Sequence, residues 1–434
     1  MRNKNIANAG WIIGCKIIQA LIGVIISMLT ARYLGPSYFG VINYAAAVVA
    51  FVAPIAKLGL SHIVIQELVY SPNSEGKILG SSLVMSLISS LFCIIGVISF
   101  SFITNPHETE TVIVCALYST LLISYALEII QYWFQAKLIS KYTSIVSVIV
   151  YFLISIYKVI LLFTKQSVYW FAVSNSIDHF IIGVILLIIY KKKSNQKLTF
   201  SFSYAKNLFS KSKFFIVSSM MITIFAQIDK IMLNFMIGDT ATGIYSAASA
   251  CAGMTSFVFA AIIDSMRPTI LECKKSSNAI YEKKMCQLYS VIIYMAMAQS
   301  VVMTVLAKPI VLILYGNEYM ASVSTLQIVV WYTTFSYIGS VTSVWILAED
   351  KQRYLWFINM SGALVNVLLN AIFIPLWGVE GAAVATVITQ MFSNFIIGFV
   401  FKPIKRSNYL ILNSIKPTYV IETIKTVLNN RSKL

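Results

Sequence analysis

Ionisable side chains interrupt several long apolar stretches of this sequence. The most prominent case is TIFAQIDKIMLN, residues 223–234, in which Asp229 and Lys230 are adjacent inside an apolar run. A charge placed in lipid costs several kcal/mol, so such residues usually face a hydrated cavity or a partner of opposite charge. Lysines in a hydrated cavity would attract a phosphate-containing group, and a carboxylate there would carry a proton or a sodium ion.

Similar residues occur along the chain and would line the same cavity. The candidates for binding an anionic head group are Lys230, Lys57, Lys158, Lys16 and Arg32. The candidates for ion coupling or gating are Asp229, Glu128, Asp178, Glu67 and Asp264. The alternative is structural, with interhelical salt bridges and with lysines that extend from span ends towards the interface. Asp264 precedes Arg267 by three residues on one helical face, which favours an ion pair there.

Asparagines supply a second polar pattern. Asn359, Asn366 and Asn370 are spaced by seven and four residues in one apolar stretch, so they share one face of a helix. Such a face could hydrogen-bond the hydroxyls of a sugar. It could equally bond to a neighbouring helix.

The elements that would position these residues are membrane-spanning helices. The chain has 434 residues, of which 58% are hydrophobic and 11% charged, whereas soluble domains are about 45–50% apolar and about 25% charged. We therefore expect an all-α polytopic membrane protein, and its first apolar run is too long for a signal peptide. Ten or fourteen spans would fit the loops less well than twelve. Apolar runs of about 20 residues give twelve centres, near Gly23, Val49, Phe92, Ser124, Leu153, Phe180, Phe225, Ala252, Met297, Ser336, Val365 and Thr389.

Basic residues set the expected orientation. Twelve spans and an inside N-terminus place most of the 33 lysines and arginines in inside segments, and leave Arg32, Lys165 and Lys308 in outside loops. This asymmetry is what the positive-inside rule predicts. We expect both termini to be cytoplasmic, and the basic loops to contact anionic lipids rather than nucleic acid.

An internal repeat divides the chain. YLGPSYFGVINYAAA (33–47) aligns with MIGDTATGIYSAASA (236–250) at an offset of 203, so that Gly35 matches Gly238 and Gly40 matches Gly243. Each copy opens a small-residue helix that lets neighbours approach closely. The alternative is a chance similarity of two glycine turns. The repeat predicts a six-helix bundle in 1–195, a basic cytoplasmic linker in 196–212, a second six-helix bundle in 213–401 and a basic cytoplasmic tail in 402–434.

Signatures of enzymes and cofactors are missing from the sequence. The G-x-x-x-x-G runs that begin at Gly35 and Gly238 lack the following Lys and Ser or Thr of a nucleotide-binding P-loop. The three histidines are scattered, the six cysteines show no C-x-x-C spacing, and no loop is long enough for a catalytic domain. We predict no cofactor, no metal site and no enzymatic activity. Two six-helix halves with a cavity between them are the usual build of a secondary transporter. Without a nucleotide-binding site, an ion gradient or a substrate gradient would drive its transport.

Four motifs resemble those of one exporter family. ARYLGPSYFG (31–40) and GLSHIVIQELV (59–69) are similar to its segments after spans 1 and 2, QIDKIMLN (227–234) to its span 7, and LYGNEY (314–319) to its loop after span 9. This family is the polysaccharide-flippase branch of the multidrug/oligosaccharidyl-lipid/polysaccharide exporter superfamily, whose O-antigen flippases are called Wzx. One departure is Gln66 before Glu67, where the family often has arginine, and it weakens a charge-pair role for Glu67.

The resemblance implies a function and an architecture. It implies two six-helix bundles around a central, often cationic, cavity, as in MATE-type exporters. It also implies translocation of an undecaprenyl-pyrophosphate-linked oligosaccharide from the cytoplasmic to the outer leaflet of the bacterial plasma (inner) membrane, for O-antigen, lipopolysaccharide or other surface polysaccharide. The implied partners are this substrate, membrane lipids, H⁺ or Na⁺, a polysaccharide polymerase and a chain-length regulator. A wet cavity with lysines would remove most of the cost of moving pyrophosphate and sugars through hydrocarbon.

Two other classes of protein compete with this interpretation. A multidrug or cation antiporter on the same fold would have an acidic, aromatic pocket, whereas the charges here are mixed. A membrane polymerase or ligase usually needs a sizeable outer loop with catalytic residues, and the outer loops here are short. Successive helical residues point about 100° apart, so we predict separate roles for Asp229, in coupling or gating, and Lys230, at the anionic head group.

Overall fold

The computed structural model describes residues 2–422, and within them the side chains of residues 14, 15 and 18–422. Every regular element in this part of the chain is helical. Contacts group the chain into two compact units, Met1–Gly243 and Ile244–Leu434. The prediction of an all-α polytopic protein is confirmed.

The first unit contains nine α-helices and two short 3₁₀ turns, at Pro72–Ser74 and Glu128–Ile130. The helices are α1 (Arg2–Ala56), α2 (Ser61–Tyr70), α3 (Glu75–Thr104), α4 (Thr109–Ser119), α5 (Leu121–Leu127), α6 (Gln131–Ala136), α7 (Lys141–Phe163), α8 (Val168–Lys193) and α9 (Phe202–Met236). The next helix, α10 (Asp239–Gly253), begins in the first unit and continues into the second.

The second unit contains eight further α-helices and a π-helical segment at Phe392–Ile396. The helices are α11 (Ser256–Ser276), α12 (Asn278–Val305), α13 (Ala307–Leu314), α14 (Ser322–Val329), α15 (Trp331–Ala348), α16 (Leu355–Met391), α17 (Ile397–Val400) and α18 (Lys405–Ser414). Its 3₁₀ turns lie at Asn317–Tyr319, Gln352–Tyr354 and Lys402–Ile404.

Nine helical segments of the described chain are long and apolar enough to cross a membrane. Two of them contain a glycine with positive φ inside a long helix, Gly35 (70°) in α1 and Gly378 (60°) in α16, so α1 and α16 each consist of two helices joined at a kink. The consecutive helices α14 and α15 contain the remaining predicted centre, Ser336. Counted in this way, the helices contain all twelve predicted span centres.

The distribution of side chains is that of a membrane protein. Large apolar residues such as Phe163 and Val400 are 83% and 80% exposed, as expected of surfaces that face lipid. Small polar residues are buried between helices instead, and Ser86 of α3 donates a hydrogen bond to the carbonyl of Ala56 over 2.7 Å. Small residues at such positions allow close helix packing in a membrane.

The predicted linker, residues 196–212, is partly bound to α3. The Thr199 amide donates to the Gly76 carbonyl over 3.1 Å, and the Gly76 amide donates to the Gln196 side chain over 3.1 Å. A Cβ at Gly76 would lie 2.1 Å from the Lys197 carbonyl oxygen, so glycine is needed there. The second part of the predicted linker forms the first turns of α9. The division into two six-helix halves stays a prediction.

The start of the predicted tail forms α18, which packs on α12. Arg406 donates two 2.8 Å hydrogen bonds to the Glu282 carboxylate, and this hydrogen bonding raises the pKa of the Arg406 guanidinium. The tail beyond residue 422 lies outside the described residues.

Candidate functional site

Three predicted site residues from separate helices meet in the first unit. Lys57 directly follows α1, where Leu58 (φ 51°) and Gly59 (φ 60°) end the helix. Glu128 lies on the 3₁₀ turn between α5 and α6, and Asp178 lies in the middle of α8. A tightened 3₁₀ turn inside a longer helix often marks a functional position. We call these three residues, together with His179, the polar cluster.

His179 links the two carboxylates of the polar cluster. Its Nδ1 lies 2.5 Å from Oε1 of Glu128, and its backbone amide donates to Oδ1 of Asp178 over 2.7 Å. The same Asp178 oxygen is 4.0 Å from Nε2 of the imidazole. With Glu128 ionised, the imidazole donates from Nδ1 to Glu128, since a carboxylate only accepts hydrogen bonds.

Lys57 completes the cluster on the other side of Glu128. Its Nζ lies 3.8 Å from Oε2 of Glu128 and 3.6 Å from the centre of the Tyr125 ring. The Tyr125 ring in turn meets the His179 ring edge-on at 5.4 Å. The Lys57 side chain is 37% exposed, against 15% for Glu128, so the cation is the more accessible end of the pair.

The polar cluster has chemistry suited to ion exchange and to anion binding. With a neutral imidazole it has one cation and two carboxylates, and protonation of His179 makes it neutral. Histidine is the side chain whose charge changes most readily near neutral pH. Both carboxylates needed to stabilise an imidazolium are already in place. Lys57 can also bind an anion.

A second polar contact lies one turn earlier along α8. Lys158 of α7 donates to Oδ1 of Asn175 over 2.8 Å, and Thr120 bonds to Ser176 over 2.9 Å. Together with Asp178 these residues make a polar face on an otherwise apolar helix. Lys158 is therefore hydrogen-bonded to α8 at Asn175, and it also interacts electrostatically with Asp178 of the polar cluster.

The adjacent charges of α9 have different surroundings. Asp229 is buried, with 6% of its surface exposed, whereas Lys230 is half-buried. Arg32 is exposed in α1, and the side chain of Lys16 lies outside the described residues. The roles of these four residues in binding or coupling stay predictions.

Two predicted acidic residues form ion pairs with basic residues outside the polar cluster. Glu67 of α2 accepts from Lys211 of α9 over 2.6 Å. Asp264 lies 2.9 Å from Arg267 on the same helix, the pair that their spacing predicts. Roles for Glu67 and Asp264 in coupling or gating stay predictions.

Two of the three predicted asparagines lie at a contact inside the second unit. Asn370 donates to Asn366 over 3.2 Å, and Asn366 donates to Thr389 over 3.5 Å. Both asparagines are buried, which matches the alternative of helix-to-helix bonding. Asn359 is half-buried, and a sugar-facing role for the asparagines stays a prediction.

His179 is the site residue that sequence reasoning missed. It was grouped with two other histidines as scattered, and no spacing connects it to Glu128, 51 positions earlier. A local signal was present, because the polar run SNSIDH (174–179) interrupts the middle of an apolar span. A histidine beside an aspartate at membrane depth needs the same explanation as any other intramembrane charge.

The helical architecture and its long apolar segments define a multi-pass membrane protein. The chain is similar to the lipid II flippase MurJ in an inward closed conformation, with a TM-score of 0.72, 17% identity, and coverage of 94% of this chain and 92% of that one. It is also similar to an inward-facing multidrug resistance MATE family transporter, with a TM-score of 0.67, 13% identity, and coverage of 90% and 95%. At these identities the likeness shows the fold.

The sequence comparison assigns the chain to a family. Residues 6–274 match the model of the polysaccharide biosynthesis protein family, and the chain belongs to that family. It is 24% identical over 245 residues, 52% of its length, to an uncharacterized membrane protein of Methanocaldococcus jannaschii. The matched region spans about half of that relative's own length, 48%.

Proposed function

We propose that the protein moves an undecaprenyl-pyrophosphate-linked oligosaccharide from the cytoplasmic to the outer leaflet of the bacterial plasma membrane. The polysaccharide biosynthesis family and the fold shared with a lipid II flippase support this. The observation that carries the proposal is the polar cluster. A cation beside one buried and one partly buried carboxylate and an imidazole, within apolar spans, suits an anionic, ion-coupled cargo.

Proton binding at His179 would couple the cluster to a gradient. Protonation strengthens the attraction between the imidazole and Glu128. It thereby weakens the ion pair between Glu128 and Lys57. A released Lys57 ammonium could then bind a pyrophosphate oxygen through a charge-assisted hydrogen bond. Protonation on one side of the membrane would thus favour substrate binding there, so a proton gradient directed from the cytoplasmic to the outer side would accelerate export.

The biological assignment follows from the substrate. A flipped repeat unit would be used for O-antigen, lipopolysaccharide or another surface polysaccharide by a polymerase and its chain-length regulator. The two six-helix halves, 1–195 and 213–401, would alternate between inward-open and outward-open states, with both termini cytoplasmic.

A multidrug antiporter is the second candidate function. The Tyr125 ring, which lies 3.6 Å from the Lys57 amine, together with two carboxylates could hold an organic cation. Membership of a polysaccharide biosynthesis family favours the glycan carrier. The antiporter would export a cationic dye against a proton gradient, and the flippase would not.

Reconstitution tests the proposal. Full-length protein in proteoliposomes should expose lipid-linked oligosaccharide, extracted from the producing cells, to an impermeant lectin faster than empty liposomes do. Lys57→Gln should slow this about tenfold, because a hydrogen bond to a charged group contributes about 1.5–3 kcal/mol. The matched control is Lys193→Gln at the exposed end of α8, where the amine bonds only Tyr142 among described side chains. No flipping above empty liposomes by the unmodified protein would refute the proposed function.

A further inference from the structure

A polar groove lies between α11 and α15 of the second unit. It has a volume of about 460 Å³, within the range of small-molecule sites, about 300–1,000 Å³. Its lining residues recur along one face of α11 and meet one face of α15. They include Ser256, Phe257, Asp264, Arg267, Ser336 and Ser340. We refer to it as the α11–α15 groove.

The other side of α15 provides a comparison. A second cavity, of about 490 Å³, lies there against α12 and α18 and is lined almost entirely by apolar residues such as Met297, Phe335 and Ile411. Lipid chains suit that surface. The α11–α15 groove differs in carrying three serine hydroxyls and an ion pair, which hydrocarbon would not solvate.

A buried tyrosine forms part of the groove wall. Tyr337 lines the groove, is only 7% exposed and stacks its ring on that of Phe259 at 4.0 Å. Its hydroxyl points away from the groove, against Thr255 and Gln299. The polar groups that the groove offers to a ligand are therefore its serine hydroxyls and its ion pair.

The remaining groups are those that recognise sugars. Asp264 and Arg267 are 2.9 Å apart and half exposed, so one accepts and the other donates hydrogen bonds to neighbouring hydroxyls. Phe257 is 36% exposed, and an aromatic face packs against the C–H face of a sugar ring. The Asp264 carboxylate would repel a bound pyrophosphate, and the Arg267 guanidinium would repel a cationic drug.

We propose that the α11–α15 groove binds the glycan portion of the lipid-linked substrate, separately from the site of its pyrophosphate. This inference rests on the proposed function. The charges of Asp264 and Arg267 cancel, which suits an uncharged, hydroxyl-rich ligand. The groove thereby lets the protein distinguish a completed oligosaccharide from the bare lipid carrier.

Binding of two lipids to the full chain in nanodiscs tests this, with native mass spectrometry as the readout. The probes are lipid-linked oligosaccharide extracted from the producing cells and undecaprenyl pyrophosphate without sugar. The unmodified protein should bind the first at least tenfold more tightly. Arg267→Gln should lose about tenfold for the sugar-bearing lipid, and less than twofold for the bare lipid.

Two serines of α15 form a matched pair of variants. The hydroxyls of Ser340 and Ser343 bond the helix carbonyls of Ser336 and Gly339, over 3.1 and 3.0 Å, but only Ser340 lines the groove. Ser340→Ala should weaken sugar-lipid binding about threefold, and Ser343→Ala should not. Equal affinity of the unmodified protein for both lipids, or equal losses for both lipids in Arg267→Gln and Ser340→Ala, overturns the inference. If the unmodified protein still flips lipid-linked oligosaccharide when these binding results are obtained, the proposed function is kept and only the glycan site in the groove is rejected.

Discussion

Gly40 and Gly243 each contact the backbone of the helix that contains the other. A Cβ on Gly40 would lie 1.8 Å from the carbonyl oxygen of Asp239, and a Cβ on Gly243 would lie 1.9 Å from that of Pro36. The offset of the repeat relates Pro36 to Asp239 just as it relates Gly40 to Gly243, so the contact is reciprocal. The two aligned segments therefore meet at backbone distance. Only glycine permits it.

A methyl group at either glycine should destabilise the protein. Gly40→Ala and Gly243→Ala each force backbone apart, and overpacking of this kind costs about 1–3 kcal/mol. The control is Gly96→Ala in α3, where an added Cβ meets nothing within 4 Å. Thermal unfolding in detergent should show a lower Tm for the first two variants and not for the third. Similar melting of Gly40→Ala and Gly96→Ala would contradict the contact.

Glu75 should contribute to stability through a neighbouring tryptophan. Its carboxylate is buried, accepts a 2.6 Å hydrogen bond from Nε1 of Trp133 and pairs with Lys137. Glu75→Ala leaves the indole N–H without its partner, so we expect a loss of about 1–3 kcal/mol. Glu75→Gln keeps an acceptor and should lose less. The order of the two variants in thermal unfolding checks the contact, and a reversed order would argue against it.

His179 should carry the coupling proton. In proteoliposomes His179→Gln should still flip lipid-linked oligosaccharide, but a proton gradient should no longer accelerate flipping, because glutamine cannot take up the proton. His107→Gln, exposed between α3 and α4, is the matched control and should keep the acceleration. Gradient-dependent flipping by His179→Gln at the unmodified rate would exclude histidine as the proton carrier.

Local signals account for what the sequence predicted well. An apolar run of span length is a property of consecutive residues, so the twelve centres could be found without a structure. A charge inside such a run is equally local, which is why Lys57, Glu128 and Asp178 were candidates. Their meeting in one cluster depends on how α1, α5 and α8 pack, and no residue spacing records it.

The asparagines and the glycines show when a contact between distant segments can be predicted from sequence and when it cannot. One helical face holds Asn366 and Asn370, but whether that face meets a ligand or Thr389 depends on the neighbouring helix. The glycine repeat could be detected in the sequence, because an offset alignment records a relation between distant segments. His179 had a local signal beside Asp178 that a search for metal or catalytic spacing does not detect.

Lys230 should act in binding the head group. Lys230→Ala should lower flipping of lipid-linked oligosaccharide about tenfold at every proton gradient, because the loss is one charged contact with substrate. The protein should still insert at normal levels. Lys213→Ala, at an exposed position of the same helix, is the control for loss of a lysine from α9. Normal surface polysaccharide in cells that carry Lys230→Ala would remove the role assigned to Lys230.

Asp229 should act in coupling, which gives a different pattern from Lys230. Asp229 is 6% exposed and half-buried Lys230 is adjacent in sequence, so the two point about 100° apart. Asp229→Asn keeps the size of the side chain and removes only its charge. We expect flipping without a gradient to be unchanged and the acceleration by a proton or sodium gradient to fall several-fold. The check is the ratio of flipping rates with and without each gradient, and a ratio equal to that of the unmodified protein for both ions would place coupling elsewhere.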